Sequence, residues 1–124
     1  MARVKQLTVS LENQPGRLAA LAKVLADAKV NVEAVLAVTA GAQGSAQLVV
    51  DNVAKAKKAL SAAQFAYTEG TLDRVELPNK AGALADFAAK LAKNGVNIDT
   101  AYGTLPKGAR KSVLLFATSK PVGG

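Results

Sequence analysis

The sequence predicts an α+β fold made of two related units, and three observations lead to this prediction. The chain has 124 residues, which fits one compact domain or two very small ones. Half of the residues are apolar, and most of these are Ala, Val and Leu, which suit thin packing of helices on a sheet. The sequence also matches itself without a gap when it is shifted by 66 positions.

The internal repeat consists of 11 identities over residues 9–32. Val32 and Glu33 then fall on Ile98 and Asp99, which are chemically equivalent. We therefore predict two domains, residues 1–69 and residues 70–124. The identical residues are Val9, Leu11, Asn13, Gly16, Leu18, Ala19, Ala22, Leu25, Ala26, Val30 and Asn31, which fall on Val75, Leu77, Asn79, Gly82, Leu84, Ala85, Ala88, Leu91, Ala92, Val96 and Asn97.

Apolar periodicity predicts the elements of the first copy as strand, helix, strand, strand, helix, strand. Pro15 suits the first helical position, where its missing N–H is not needed. The predicted elements are a strand at 4–11, a helix with Leu18, Leu21, Ala22 and Leu25 on one face, a strand from Asn31, a turn with Gly41 and Gly44, a strand at Gln47–Asp51, a helix at Asn52–Ala63, a strand near Gln64–Thr68 and a turn at Glu69-Gly70.

The second copy repeats only the first four elements. Its helix has Leu84, Phe87, Ala88 and Leu91 at helical spacing and a stop at Asn94-Gly95. Strands are predicted at 72–77, from Asn97, and at Ser112–Ala117, the last two joined by a turn with Pro106 and Gly108.

The first copy therefore has the ferredoxin-like βαββαβ plan, with an antiparallel sheet, and the second copy is a truncated version of it. In the strand order 4-1-3-2, loss of the last strand leaves the first strand of the second copy at an open edge. Loss of the second helix uncovers part of the sheet face. Such surfaces invite pairing with another chain, so the sequence predicts a homo-oligomer.

The residue types present exclude several classes of chemistry. There are no cysteines and no histidines, which rules out disulfides, Cys/His zinc sites, thiol nucleophiles and a Ser-His-Asp relay. The carboxylates are scattered, and the glycine-containing turns match neither a P-loop nor a dinucleotide fingerprint. We predict no enzyme, no catalytic residue, no metal and no cofactor. No apolar run approaches the roughly 18 residues that cross a bilayer, so a cytoplasmic protein without a membrane partner is expected.

The net charge of +7 leaves a second functional class open. Lysines cluster at Lys55, Lys57 and Lys58, and a basic surface attracts anions, including nucleic acid. Few aromatic residues are available to stack on bases, namely Tyr67, Tyr102 and Phe116, so nucleic acid is not the expected partner. A purely structural oligomerisation module is a third alternative.

The strand-to-helix turn is the strongest candidate for a binding site. Backbone N–H groups at a helix start lack partners and attract negative charge. Gly16 has no Cβ, so a carboxylate could approach the backbone, and Asn13 offers both a donor and an acceptor for a zwitterion. The alternative is that Asn13 only caps the helix. Asn31 and Asn97 begin the second strands, where a turn role is also possible. Glu33 and Asp99 are expected to be solvated.

These motifs resemble the ACT domain family. Residues 13–18, Asn-Gln-Pro-Gly-Arg-Leu, and 30–32, Val-Asn-Val, carry the resemblance, and residues 79–84 and 96–98 repeat it as Asn-Lys-Ala-Gly-Ala-Leu and Val-Asn-Ile. The resemblance is to small stand-alone tandem members of the family rather than to a regulatory tail of an enzyme.

The resemblance implies ferredoxin-like units that pair side by side, with helices on one face, and that bind amino acids or similar effectors at the domain interface. It also implies a regulatory or sensor function, with an enzyme as a possible partner. Ala81 replaces the usual proline, so the first loop is the stronger candidate. The implied site residues are Asn13, Gln14, Pro15, Gly16, Arg17, Leu18 and Asn31, and Asn79, Lys80, Ala81, Gly82, Ala83, Leu84 and Asn97.

Overall fold

The computed structural model describes residues 2–104 and 107–118, and it has six strands and three helices within these ranges. None of the described helices is long and apolar enough to cross a bilayer. The elements are β1 (Ala2–Glu12), α1 (Arg17–Asp27), β2 (Val32–Ala40), β3 (Gln43–Val50), α2 (Val53–Ala62), β4 (Tyr67–Pro78), α3 (Ala83–Lys93), β5 (Ile98–Thr104) and β6 (Lys111–Thr118).

The chain divides into two compact units. The first unit is residues 5–70, and the second unit combines the chain from residue 71 onward with the residues that precede residue 5. Strands in the first unit lie in the order β2-β3-β1-β4, and the pairs β1–β3 and β2–β3 are antiparallel. This confirms the predicted ferredoxin-like βαββαβ plan and its strand order for the first unit.

The core of the first unit lies between the sheet and both helices. Alternate residues of β1 point inward, so Leu7 and Val9 are almost fully buried. Leu25 of α1 and Leu60 of α2 join the same apolar cluster, which places both helices on one face of this sheet. Burying a side chain of this size stabilises the fold by about 1.5–3 kcal/mol.

The two helices of the first unit begin in different ways. Asn52 precedes α2, and its side chain accepts a hydrogen bond of 3.0 Å from the backbone N–H of Lys55. Helix α1 instead begins at Arg17 after Gly16, which has a left-handed φ of 87°. Pro15 therefore lies in the turn, and the prediction that it occupies the first helical position is wrong. The turn needs glycine at residue 16, so the helix begins only after it.

One predicted turn, and one glycine of another, lie inside strands. Glu69 and Gly70 belong to the continuous strand β4, which is hydrogen-bonded to β1, and Lys5 of β1 and Lys57 of α2 bind the Glu69 carboxylate. Gly41 lies in the predicted turn after β2, with φ of 65°, whereas Gly44 belongs to β3 and pairs with Thr39 of β2. These glycines permit extended backbone as readily as a turn.

The second unit contains β4, α3, β5 and β6, with the strand order β4-β6-β5 and antiparallel pairing. Phe116 of β6 is fully buried and packs edge-on against Phe87 of α3, with ring centroids 5.1 Å apart. Gly95, with φ of 71°, follows the end of α3, which confirms the predicted stop. Gly108 lies in the turn before β6, whereas Pro106 lies outside the described residues.

The first strand of the second copy is not an open edge, contrary to the prediction. In the second unit, β4 has β6 on one side and the beginning of β1 on the other. Arg3 Nε of β1 lies 4.0 Å from the Asp73 carboxylate of β4. Because β4 continues through residues 69 and 70, it remains paired where the sequence predicted a turn.

Candidate ligand-binding loops

The first loop, residues 13–16, connects β1 to α1 and depends on Gly16. Its φ of 87° is a conformation that residues with a Cβ rarely adopt. A Cβ built on Gly16 would have no heavy atom within 4 Å, so the space beside this backbone is open. The glycine is therefore required by the backbone conformation, and it leaves the start of α1 accessible to a ligand.

Asn13 ties the first loop to the turn between β2 and β3. Its backbone N–H donates to the carbonyl of Ala42 at 2.9 Å, and its side-chain Nδ2 donates to the carbonyl of Gly41 at 2.8 Å. No side chain caps α1. The alternative that Asn13 caps the helix is therefore wrong, and its amide N–H group positions the loop.

Arg17 and Leu18 differ in their surroundings. The Arg17 guanidinium lies 5.2 Å from the centre of the Phe65 ring, which suits a cation–π contact. Its Nε is buried and has no hydrogen-bond partner among the described residues. Leu18 is 47% exposed, although the sequence pattern placed it on the inner face of the helix, while Gln14 and Pro15 are both exposed.

The second loop, residues 79–82, has the same construction. Gly82 has a φ of 89°, and a Cβ there would also meet open space. Asn79 donates its backbone N–H to the carbonyl of Arg110 and its side-chain Nδ2 to the carbonyl of Ala109, both at 2.9 Å. The chain thus reaches this conformation with Ala81 in the place of proline.

A cleft of about 110 Å³ lies beside the second loop. Lys80, Gly82 and Leu84 line it from the loop and α3, and Leu84 is 52% exposed. Gly103 of β5 and Ser112 of β6 line it from the sheet. These two strand residues could not be identified from the sequence, because only the pairing of β4 with β6 and of β5 with β6 brings them beside the loop.

The asparagines that precede the second strands are bonded within their own units. The Asn31 backbone N–H donates to Asp51 Oδ1 at 2.9 Å, and its carbonyl accepts from the Asp51 N–H at 3.0 Å. Asn97 Nδ2 donates to Asp99 Oδ1 at 2.8 Å. Each asparagine follows the C-terminal end of a helix whose N-terminal end carries the glycine loop. Neither unit therefore brings its own asparagine and loop together.

One carboxylate in the first unit has a strongly altered acidity. Hydrogen bonds from Lys5 at 2.8 Å and from Lys57 at 2.7 Å lower the pKa of Glu69 to about 2. The same bond to Glu69 raises the pKa of Lys57. Among the described residues no three acidic side chains gather into a metal-binding group. These charges hold β1, α2 and β4 together.

The geometry defines a class of protein, namely small ferredoxin-like modules with a glycine turn at the start of a helix. The ACT domain family matches residues 5–61, and the chain belongs to this family. No curated protein sequence matches the chain.

Solved structures resemble the chain over most of its length. Protein BT0572 from Bacteroides thetaiotaomicron is 30% identical, with a TM-score of 0.90, and the match covers 95% of this chain and 81% of that one. The ligand-free regulatory subunit of aspartate kinase from Thermus thermophilus is 16% identical, with a TM-score of 0.67 and coverages of 92% and 82%. The corresponding subunit from Thermus flavus is 18% identical, with a TM-score of 0.61 and coverages of 93% and 85%.

Proposed function

We propose that this chain is a non-catalytic regulatory protein that binds an amino acid through its glycine loops. The observation that carries the proposal is that two loops 66 residues apart have the same geometry, with φ of 87° at Gly16 and 89° at Gly82. In each loop an asparagine amide bonds to a carbonyl of the next hairpin turn. A loop held so firmly, with open space beside its glycine, is preorganised for a ligand.

The chemistry of the loops suits an amino acid. The positive end of the helix dipole at the start of α1 and of α3 favours a carboxylate. The first N–H group of each helix, that of Arg17 or Ala83, donates only a long bond of 3.3 Å to a carbonyl of its own loop. The cleft beside the second loop adds apolar walls for a side chain and the Lys80 ammonium for a negative charge. We therefore consider the second loop as strong a candidate for the amino-acid site as the first loop, although the sequence favoured the first loop. Similarity to regulatory subunits of aspartate kinase supports a regulatory function.

The proposal also covers the domain organisation, the location and the assembly of the protein. The chain is a tandem pair of ACT modules whose second copy is shortened, and it works in the cytoplasm as a homo-oligomer or beside a partner enzyme. A nucleic-acid binder is a weaker alternative, because Phe116 is fully buried and Tyr67 and Tyr102 are half-buried, which leaves little aromatic surface for stacking on bases. An oligonucleotide titration at several salt concentrations would reveal such binding.

A thermal-shift screen of the twenty amino acids tests the proposal first. A ligand that binds only the folded state must raise the melting temperature. We then expect Gly82→Ala or Gly16→Ala to weaken binding of that amino acid by about ten-fold or more in calorimetry. The added methyl group occupies the space of the ligand, and such crowding costs about 1–3 kcal/mol.

Gly108→Ala is the matched control. Gly108 has a φ of 81° and open space around its missing Cβ, so alanine there has a similar backbone cost. It lies in the turn before β6, next to the Ala109 carbonyl that holds the second loop, so it is the control for Gly16→Ala. Equal losses of affinity in Gly16→Ala and Gly108→Ala, or no melting-temperature shift with any amino acid, would contradict the proposal.

A further inference from the structure

The second unit has an open apolar groove between β4 and α3. Leu77 and Pro78 at the end of β4 form one wall, and Ala83 and Phe87 of α3 form the other. The groove has a volume of about 250 Å³. Its apolar residues on α3 are spaced as i and i+4, so they form a stripe along one side of the helix.

The first unit shows what occupies the corresponding place when the fold is complete. There α2 packs beside α1, and its Ala56 and Leu60 are fully buried. Leu21 of α1 is 1% exposed under this cover, whereas Phe87, its counterpart in the repeat, is only half-buried. Within the described residues of the second unit no second helix covers the groove.

The rim of the groove carries charge. Lys80 stands in the loop, Lys90 lies two turns along α3 from Ala83, and Asp86 lies between them. Neither lysine forms an ion pair within the described part of the chain, and both are exposed. Two free ammonium groups and one carboxylate leave this rim with a positive excess, which favours a partner with acidic side chains.

We propose that this groove receives an amphipathic helix from a partner protein. The helix presents a small residue and a leucine, spaced as i and i+4, to Ala83 and Phe87; these are the residue types that α2 buries in the core of the first unit. Its acidic residues face Lys80 and Lys90. A second copy of this chain is a poorer occupant, because its α2 carries Lys55, Lys57 and Lys58, and the protein has a net charge of +7.

A peptide titration of the isotope-labelled full chain, followed by NMR, tests this docking site. The probe has the sequence of residues 52–63 with all three of its lysines replaced by glutamate, and the unaltered sequence serves as the comparison peptide. We expect the acidic peptide to shift the amide signals of residues 77–90 and the lysine-containing peptide to bind more weakly.

Two variants on the same helix turn locate the interaction. We expect Lys90→Glu to weaken binding of the acidic peptide roughly three- to ten-fold, as reversal of an exposed charge pair would do. Lys93→Glu makes the same charge change in the same last turn of α3, but Lys93 does not line the groove, so affinity should change little.

Three results would overturn the docking proposal. These are equal affinity for the two peptides, equal effects of the two lysine variants, or signal shifts outside the groove. Concentration-dependent self-association that shifts the same amide signals would assign the groove to a second copy instead. Amino-acid affinity measured on Lys90→Glu separates this proposal from the loop proposal, because the loops should bind as before.

Discussion

At the scale of single residues, glycine and asparagine have different tasks in each loop. The glycine supplies a left-handed backbone conformation, and the asparagine fixes the loop to a hairpin turn. Asn13 lies in an exposed environment, whereas the bond from Asn79 to the carbonyl of Ala109 is part-buried. A hydrogen bond shielded from water is harder to replace by solvation, so the two asparagines should differ in their contribution to stability.

We expect Asn79→Ala to lower the free energy of unfolding by about 1–2 kcal/mol and Asn13→Ala by about 0.5–1 kcal/mol. The larger loss follows from leaving the Ala109 carbonyl without its partner. Urea denaturation of both variants measures the difference. A greater loss for Asn13→Ala would show that burial does not decide the strength of these bonds.

At the scale of elements, Glu69 connects β4 to its neighbours in the first unit. Its pKa is lowered from the ordinary value of 4.5 to about 2, so between these values the unfolded chain binds more protons than the folded chain. The stabilisation from this carboxylate is fully present above pH 4.5 and is lost as the pH falls towards 2.

We therefore expect the stability difference between the protein and Glu69→Gln to shrink as the pH is lowered through this interval. Denaturant titrations at several pH values measure it. In a double variant, Lys5→Met with Lys57→Met, the pH dependence contributed by Glu69 should disappear, because methionine supplies neither a charge nor a hydrogen-bond donor. Parallel pH profiles for the protein and Glu69→Gln would contradict this account.

The helices also differ in how much their leucines stabilise the fold. Leu60 of α2 is fully buried, whereas Leu84 of α3 is 52% exposed. We expect Leu60→Ala to lower the free energy of unfolding by about 2–5 kcal/mol, because it leaves a cavity in the core. Leu84→Ala should cost less than about 1 kcal/mol. Similar losses in thermal or chemical unfolding would mean that Leu84 is covered in solution.

At the scale of the whole molecule, β2 offers a surface suited to the proposed homo-oligomer. The sequence predicted an open edge at the first strand of the second copy, but β2 is the edge strand of the first unit. Val35 and Val38 on this strand are 52% and 49% exposed. An exposed edge with apolar side chains is a template for pairing with another chain, which supports the proposed homo-oligomer.

We expect Val38→Lys to shift the protein towards the monomer, because a charged edge strand resists pairing. Sedimentation velocity over a range of concentrations measures the change. Leu84→Lys is the matched control, since Leu84 is exposed to a similar degree but lies on α3. If only Leu84→Lys caused dissociation, the interface between subunits would lie at α3 rather than at β2.

The sequence by itself determined the three helices, most of the strands and the fold of the first unit, but not the continuity of β4. Apolar periodicity is a local property, so α1, α2 and α3 could be predicted, and so could the stop at Gly95. The repeated Asn-x-x-Gly pattern also identified both loops and the ACT family.

Only the tertiary structure decided how residues distant in the sequence meet. Glu69 and Gly70 form part of a strand because β4 pairs with β1, which is distant in the sequence, and no local pattern contains that information. Strand register likewise places Gly103 and Ser112 beside the second loop. The hydrogen bond from Asn13 to the turn between β2 and β3 shows that this side chain positions the first loop. The sequence encodes short-range preferences for helix, strand and turn. The candidate binding site and the edges of the sheet depend instead on contacts that form only when the chain folds.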